Sequence, residues 1–130
     1  WQINIVLYCI VLLFGLTDCR YNFTAGGNIT SPLFPRNYTT NVNCTWVLQA
    51  PVNHTVILHI KEFRLEKDKK CLYDFVEYFD GRTRERFCGK KDPFTIKSTG
   101  RYLTIQFTSD KSVTFEGFRA EWETKEIGMR

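Results

Sequence analysis

The sequence predicts an all-β fold in which two antiparallel sheets pack face to face and two disulfides hold them. Three observations carry this. Short apolar runs recur with a period near two, turn residues separate them, and four cysteines fall in the part that folds, an even count suited to an oxidising compartment. No stretch keeps a helical period long enough to matter.

The first segment is of another kind. Ile3 to Leu16 is almost continuously apolar, yet its roughly 14 residues fall short of the ~20 that a membrane-spanning helix needs. It reads as the core of a signal peptide over residues 1–17, with Gly15 and Thr17 small enough for the cleavage positions and Asp18 as the mature start, and with an uncleaved signal anchor as the less favoured alternative. The chain begins at Trp1 without an initiator Met or a basic leader, and so reads as a fragment. Removing the segment removes Cys9 and leaves Cys19, Cys44, Cys71 and Cys88, which allow three pairings. The sequential pairing, Cys19 with Cys44 and Cys71 with Cys88, closes two short loops worth ~3 kcal/mol each in the chain-entropy picture and is preferred, although spacing leaves the other two open.

Five N-x-[ST] sequons, at Asn22, Asn28, Asn37, Asn43 and Asn53, point independently to secretion, because their glycans have meaning only there. Asn43 adjoins Cys44 and is the weakest acceptor. From Thr45 onward the strand-like runs are Thr45 to Gln49, Thr55 to Ile60, Asp74 to Phe79, Tyr102 to Thr108 and Phe118 to Trp122, rich in Val, Ile, Phe, Tyr and Thr. Between them fall Ala50-Pro51-Val52-Asn53, Asp80-Gly81, Asp92-Pro93, Thr99-Gly100 and Glu116-Gly117. Asp80-Gly81 is the sharpest and fits a tight hairpin with positive φ at the turn. Trp46, Phe107, Phe118 and Trp122 alternate with polar neighbours and are assigned to the core.

The 130 residues suffice for one domain, set here at residues 18–123, with the charged, aperiodic residues 124–130 read as the start of a linker. A composition 43% apolar excludes disordered and collagen-like classes. The net charge of +4 is spread among interleaved acids and does not call for nucleic acid.

Several short motifs stand in order along the chain: Ile29-Thr30-Ser31-Pro32 with Pro35 and Tyr38, Cys44-Thr45-Trp46, Phe63-Arg64-Leu65-Glu66, Cys71-Leu72-Tyr73-Asp74, Tyr78-Phe79-Asp80-Gly81, Cys88-Gly89, Phe107-Thr108-Ser109-Asp110 and Gly117-Phe118. Each is weak alone. Together, from Cys19 to Trp122, they make the chain resemble the CUB domain. The resemblance implies a jelly-roll-like β-sandwich and the sequential disulfide pairing. Three positions depart from it: Arg20 where many members have Gly, Leu33-Phe34 for a common Asn-Tyr, and Asn53 for a turn Gly. The last is mild, since Asn tolerates left-handed φ.

The resemblance also brings Glu66, Asp74 and Asp110 to one end of the sandwich, where their counterparts ligate calcium in calcium-binding members. Tyr38 then supports the site by hydrogen bonding, and the loop Asp110-Lys111-Ser112-Val113 lends backbone oxygen, with Ser112 counted among the ligands. Three converging carboxylates repel one another and raise their own pKa values unless a cation is present. Calcium takes six to eight oxygens in irregular geometry and suits such a set. Val113 stands where some members supply a further oxygen, which implies a water in its place and a weaker site; extracellular modules bind at ~0.1 to 1 mM. Most surface acids are merely solvated or paired, here with Lys67 or Lys111, but the joint presence of all three positions with Tyr38 favours calcium.

The function implied is calcium-dependent recognition of an extracellular protein, a Lys or Arg of which docks on the acidic rim through a charge-assisted hydrogen bond. Two other settings remain open: an exosite module of a larger protease, complement-type or tolloid-like, and a stand-alone secreted protein such as the spermadhesins, with carbohydrate or protein ligands. Lys61, Arg64, Lys67, Lys69, Lys70, Arg82, Arg84 and Arg86 offer a patch for a heparan-like polyanion, but Glu62, Glu66, Asp68 and Glu85 dilute it and a solvated surface is the favoured reading. Catalysis is not expected. His54 and His59 are the only histidines, no H-E-x-x-H, G-x-S-x-G or Gly-rich phosphate loop occurs, and the cysteines are committed to bridges. The mature chain is expected to be secreted, without a membrane span.

Overall fold

A strand with one face on a core buries every second side chain. Val42, Cys44, Trp46 and Leu48 do so in one segment, and Leu103, Ile105 and Phe107 in another. The computed structural model describes residues 17–128; the apolar segment Ile3 to Leu16 lies outside them. In chain order the strands are β1 (Thr17–Phe23), β2 (Gly27–Thr30), β3 (Val42–Gln49), β4 (His54–Arg64), β5 (Phe75–Phe79), β6 (Arg84–Phe87), β7 (Lys90–Lys91), β8 (Phe94–Lys97), β9 (Tyr102–Thr108) and β10 (Gly117–Glu126). No helix occurs among the described residues, and none is long and apolar enough to cross a membrane.

One sheet has the order β1-β3-β9-β5-β6; the other runs β2-β10-β4-β7, with β8 also on β4. Between them lie Trp46, Phe107 and Phe118, whose rings meet edge to face at centroid distances of 5.7 Å for each pair with Phe118. Burying each such side chain stabilises by ~1.5 to 3 kcal/mol. Trp122 is buried as well, so all four aromatic residues assigned to packing are in the core. The fold is the all-β sandwich that the alternation predicts, and both disulfides pair sequentially.

One pairing differs from an all-antiparallel arrangement. β1 runs parallel to β3, with Cys19 opposite Cys44 in the register. The physical reason is the connection: residues 24–41 carry β2 into the other sheet before the chain returns, and a parallel neighbour needs such a crossover. β10 continues through Thr124, Lys125 and Glu126, which pair with Val56, Thr55 and His54. The ladder therefore enters the stretch expected as linker, because β4 begins early enough to partner it.

The turn after β5 is also wider than a two-residue hairpin. Phe79 pairs with Arg84, and Gly81 has φ 96°. Asp80 Oδ1 accepts the N–H groups of Arg82 and Thr83 at 3.0 and 2.7 Å, and this side-chain cap holds the longer loop. Asn53 adopts φ 65°, the left-handed conformation expected where it replaces a turn Gly.

Candidate metal centre

Three connections at one end of the sandwich each present an acid. Glu66 follows β4, and the backbone there is clamped to Gly89, with Leu65 N–H on the Gly89 carbonyl at 2.8 Å and Gly89 N–H on the Glu66 carbonyl at 3.3 Å. Asp74 immediately precedes β5 and is fully buried. Asp110 follows β9 and is fixed by its carbonyl, which accepts Asn41 N–H at 2.9 Å. The preceding Ser109 ties the same loop down: its hydroxyl accepts Val42 N–H at 2.9 Å and donates to the Thr39 carbonyl at 2.8 Å. Ser109 stood in a motif, but its side-chain role had no signal in the sequence.

One carboxylate oxygen from each of Glu66, Asp74 and Asp110 lies within 4.8 Å of the others. Tyr38 sits beneath them. Its hydroxyl donates to Asp74 Oδ2 at 2.6 Å and accepts Glu66 N–H at 3.3 Å. Asp110 N–H donates to Asp74 Oδ1 at 2.8 Å, so Asp74 is held from both sides. The Tyr38 ring packs edge-on against Phe107, with centroids 5.0 Å apart, which fixes its direction. Gly117, at φ 94°, makes room for this arrangement, since a Cβ there would collide with the Ser31 side chain and stand 3.3 Å from the Tyr38 ring.

Ser112 contributes its N–H to Asp110 Oδ1 at 3.2 Å, and its side chain is exposed. Val113 takes φ 54°, unusual for a β-branched residue, and its side chain is exposed too.

The electrostatics follow from this crowding. Burial, then the charges of Asp74, Asp110 and Asp68, push the Glu66 carboxyl above its ordinary value. Burial raises Asp74 as well, and the hydrogen bonds from Tyr38 and the Asp110 amide offset this only in part. Tyr38 is held protonated by burial and by Asp74. Glu66 Oε1 is buried and has no hydrogen-bond partner, although a buried acceptor normally finds one. An all-oxygen, multiply acidic set with an orphaned buried carboxylate oxygen fits a hard divalent cation.

The basic residues do not form one patch. Lys67, Lys69 and Arg86 share a recess with Lys90 and Lys91, while Lys61 and Arg64 line a neighbouring one; Lys70, Arg82 and Arg84 line neither. All five sequon asparagines are exposed.

The profile of the CUB domain matches residues 19–122. Tolloid-like protein 1 of Mus musculus is 40% identical over 104 residues, covering 76% of this chain and 10% of that protein. Cubilin of Sus scrofa is 44% identical over 101 residues, covering 72% of this chain and 3% of that protein. The chain thus spans a small part of both relatives. Among solved structures, the MASP-1 CUB2 domain bound to Ca2+ superposes with a TM-score of 0.73 at 29% identity, covering 79% of this chain and 96% of that one. A family match over residues 19–122, most of the chain, means that the chain belongs to the CUB domain family.

Proposed function

We propose that this domain is a non-catalytic, extracellular recognition module whose acidic end, when filled by calcium, grips a Lys or Arg side chain of a protein partner. One observation carries the reading: Glu66, Asp74 and Asp110 converge over Tyr38 while Glu66 Oε1 is buried without a partner. Glu66, Asp74 and Asp110 would hold the ion, with Ser112 and water as further oxygen donors. Calcium would supply charge neutralisation and order in the loops, and the remaining carboxylate oxygen would accept from the partner's cation. The structural likeness to a calcium-bound CUB domain supports the ion, and two disulfides with five exposed sequons support secretion behind a cleaved leader.

The test is a calcium titration followed by thermal melting. At saturating calcium the domain is expected to gain about 1 to 3 kcal/mol, the linkage value for a site of millimolar or sub-millimolar affinity. Asp110→Ala is expected to abolish that gain; a mutant with an undiminished shift would remove the site.

A second setting is favoured by the 40% identity to a tolloid-like protein of which this chain covers only a tenth. There the module would serve as a substrate-binding exosite beside a catalytic domain elsewhere in the protein. Its chemistry at the acidic end would be the same.

A further inference from the structure

Among the described residues every ion pair uses an arginine or His59, and no lysine takes part in one. Four of these lysines converge. Lys67, Lys69, Lys90 and Lys91, with Arg86, line a recess of about 420 Å³ beside the Cys71–Cys88 disulfide. The one acid on its wall is Asp68, and Asp68 Oδ2 already accepts the N–H groups of Lys70 and Leu72 at 3.1 and 3.0 Å. Arg86 is engaged by Glu77 Oε2 at 3.3 Å and by the Cys71 carbonyl at 3.1 Å. The ammonium groups are therefore the available charges.

The recess is built rigidly. Its two cationic segments are joined by the disulfide and by the reciprocal backbone bonds of Leu65, Glu66 and Gly89. Lysines on an edge strand such as β7 often serve only to prevent sheet-to-sheet pairing. That role does not account for Lys67 and Lys69, which come from a loop and face the same space.

We propose that this recess binds a sulfated polysaccharide chain. Unpaired lysines are point charges without the fork geometry that selects planar carboxylates, and they suit sulfate groups repeated along a flexible polymer. The adjoining recess shares Lys90 and Lys91 but is mixed in charge, with Glu62, Asp92 and Glu116 beside Lys61 and Arg64 and with Arg64 paired to Glu116 at 3.5 Å. The cationic surface is therefore the first recess, whose four lysines are more than a single anion needs. The inference uses the extracellular setting proposed above but does not depend on calcium.

The experiment is heparin affinity in the presence of a chelator, so that failure of the calcium reading leaves the result intact. The double substitution Lys69→Glu with Lys90→Glu is expected to weaken binding roughly tenfold or more. Lys97→Glu with Lys125→Glu makes the same change of net charge on exposed positions outside both recesses, and is expected to leave binding within about twofold. Unchanged melting temperatures would show that both variants fold. Equal weakening by the two pairs, or no retention of the wild-type domain at physiological salt, would overturn the proposal. So would competition by polyglutamate as effective as that by heparin, which would assign the recess to acidic peptides instead.

Discussion

Two buried aspartates bracket β5, and they are opposites in everything but burial. Asp80, after the strand, receives three backbone N–H groups: Arg82 and Thr83 on one oxygen and Thr99 on the other at 2.9 Å. Burial alone would raise its carboxyl, but these donors overcome it and hold the group at about 2. Asp74, before the strand, receives two donors and faces Glu66 and Asp110, and its carboxyl is pushed up. A buried acid whose own loop satisfies it fastens that loop. A buried acid set among other acids carries negative charge that must be relieved by a bound cation or by taking up a proton. Burial by itself distinguishes neither role.

The largest expected effect comes from removing Asp74. Asp74→Ala leaves the Tyr38 hydroxyl and the Asp110 amide without their acceptor in a buried site, and is expected to cost about 3 kcal/mol in chemical denaturation. Asp80→Ala strands three amides nearer the surface and is expected to cost about 2 kcal/mol. Their calcium responses should separate them more sharply than their stabilities. The Asp80→Ala domain is expected to keep its full calcium-induced shift in melting temperature, while Asp74→Asn, which preserves volume and removes the charge, is expected to lose it. A calcium response lost with Asp80 or kept without the charge at position 74 would break the distinction.

The same contrast explains what could be read from the chain alone. The runs at β3, β4, β5, β9 and β10 were legible because each carries several apolar residues in alternation, and a strand buried on one face leaves that mark. β6 is Arg84-Glu85-Arg86-Phe87 and β7 is two lysines, so their pairing is set by neighbours and leaves no hydrophobic pattern. β2 buries only Ile29, too little to register as a period. β1 does alternate, with Cys19, Tyr21 and Phe23 inward, but its exposed face carries Asp18, Arg20 and a sequon, and a parallel partner cannot be inferred from local spacing.

At the site, Glu66, Asp74, Asp110 and Tyr38 came from ordered family motifs, since side chains from separate loops meet through the fold and not through local sequence. The interior role of Asp80 leaves no separate mark in the sequence, because an Asp-Gly pair already has a sufficient explanation as a turn. The place of Lys90 and Lys91 is not legible locally for a related reason: the Cys71–Cys88 bridge, not proximity in sequence, brings them against Lys67 and Lys69.

The smallest effect is also the most specific to the two aspartates, because their pH dependences differ in sign. For Asp80 the folded state holds its proton less readily than the unfolded chain, so its stabilisation is fully present above the ordinary value of 3.8 and is lost as pH falls toward about 2. For Asp74 the folded state holds the proton more readily, so without calcium its contribution weakens as pH rises through the elevated value. Denaturation in a chelator across this range should therefore show the wild-type advantage over Asp80→Asn shrinking between 3.8 and about 2 and steady above. The wild-type advantage over Asp74→Asn should instead grow as the solution is made acid. Parallel courses for the two variants would mean that the neighbours around these carboxylates, three amides on one side and two acids on the other, do not govern their behaviour.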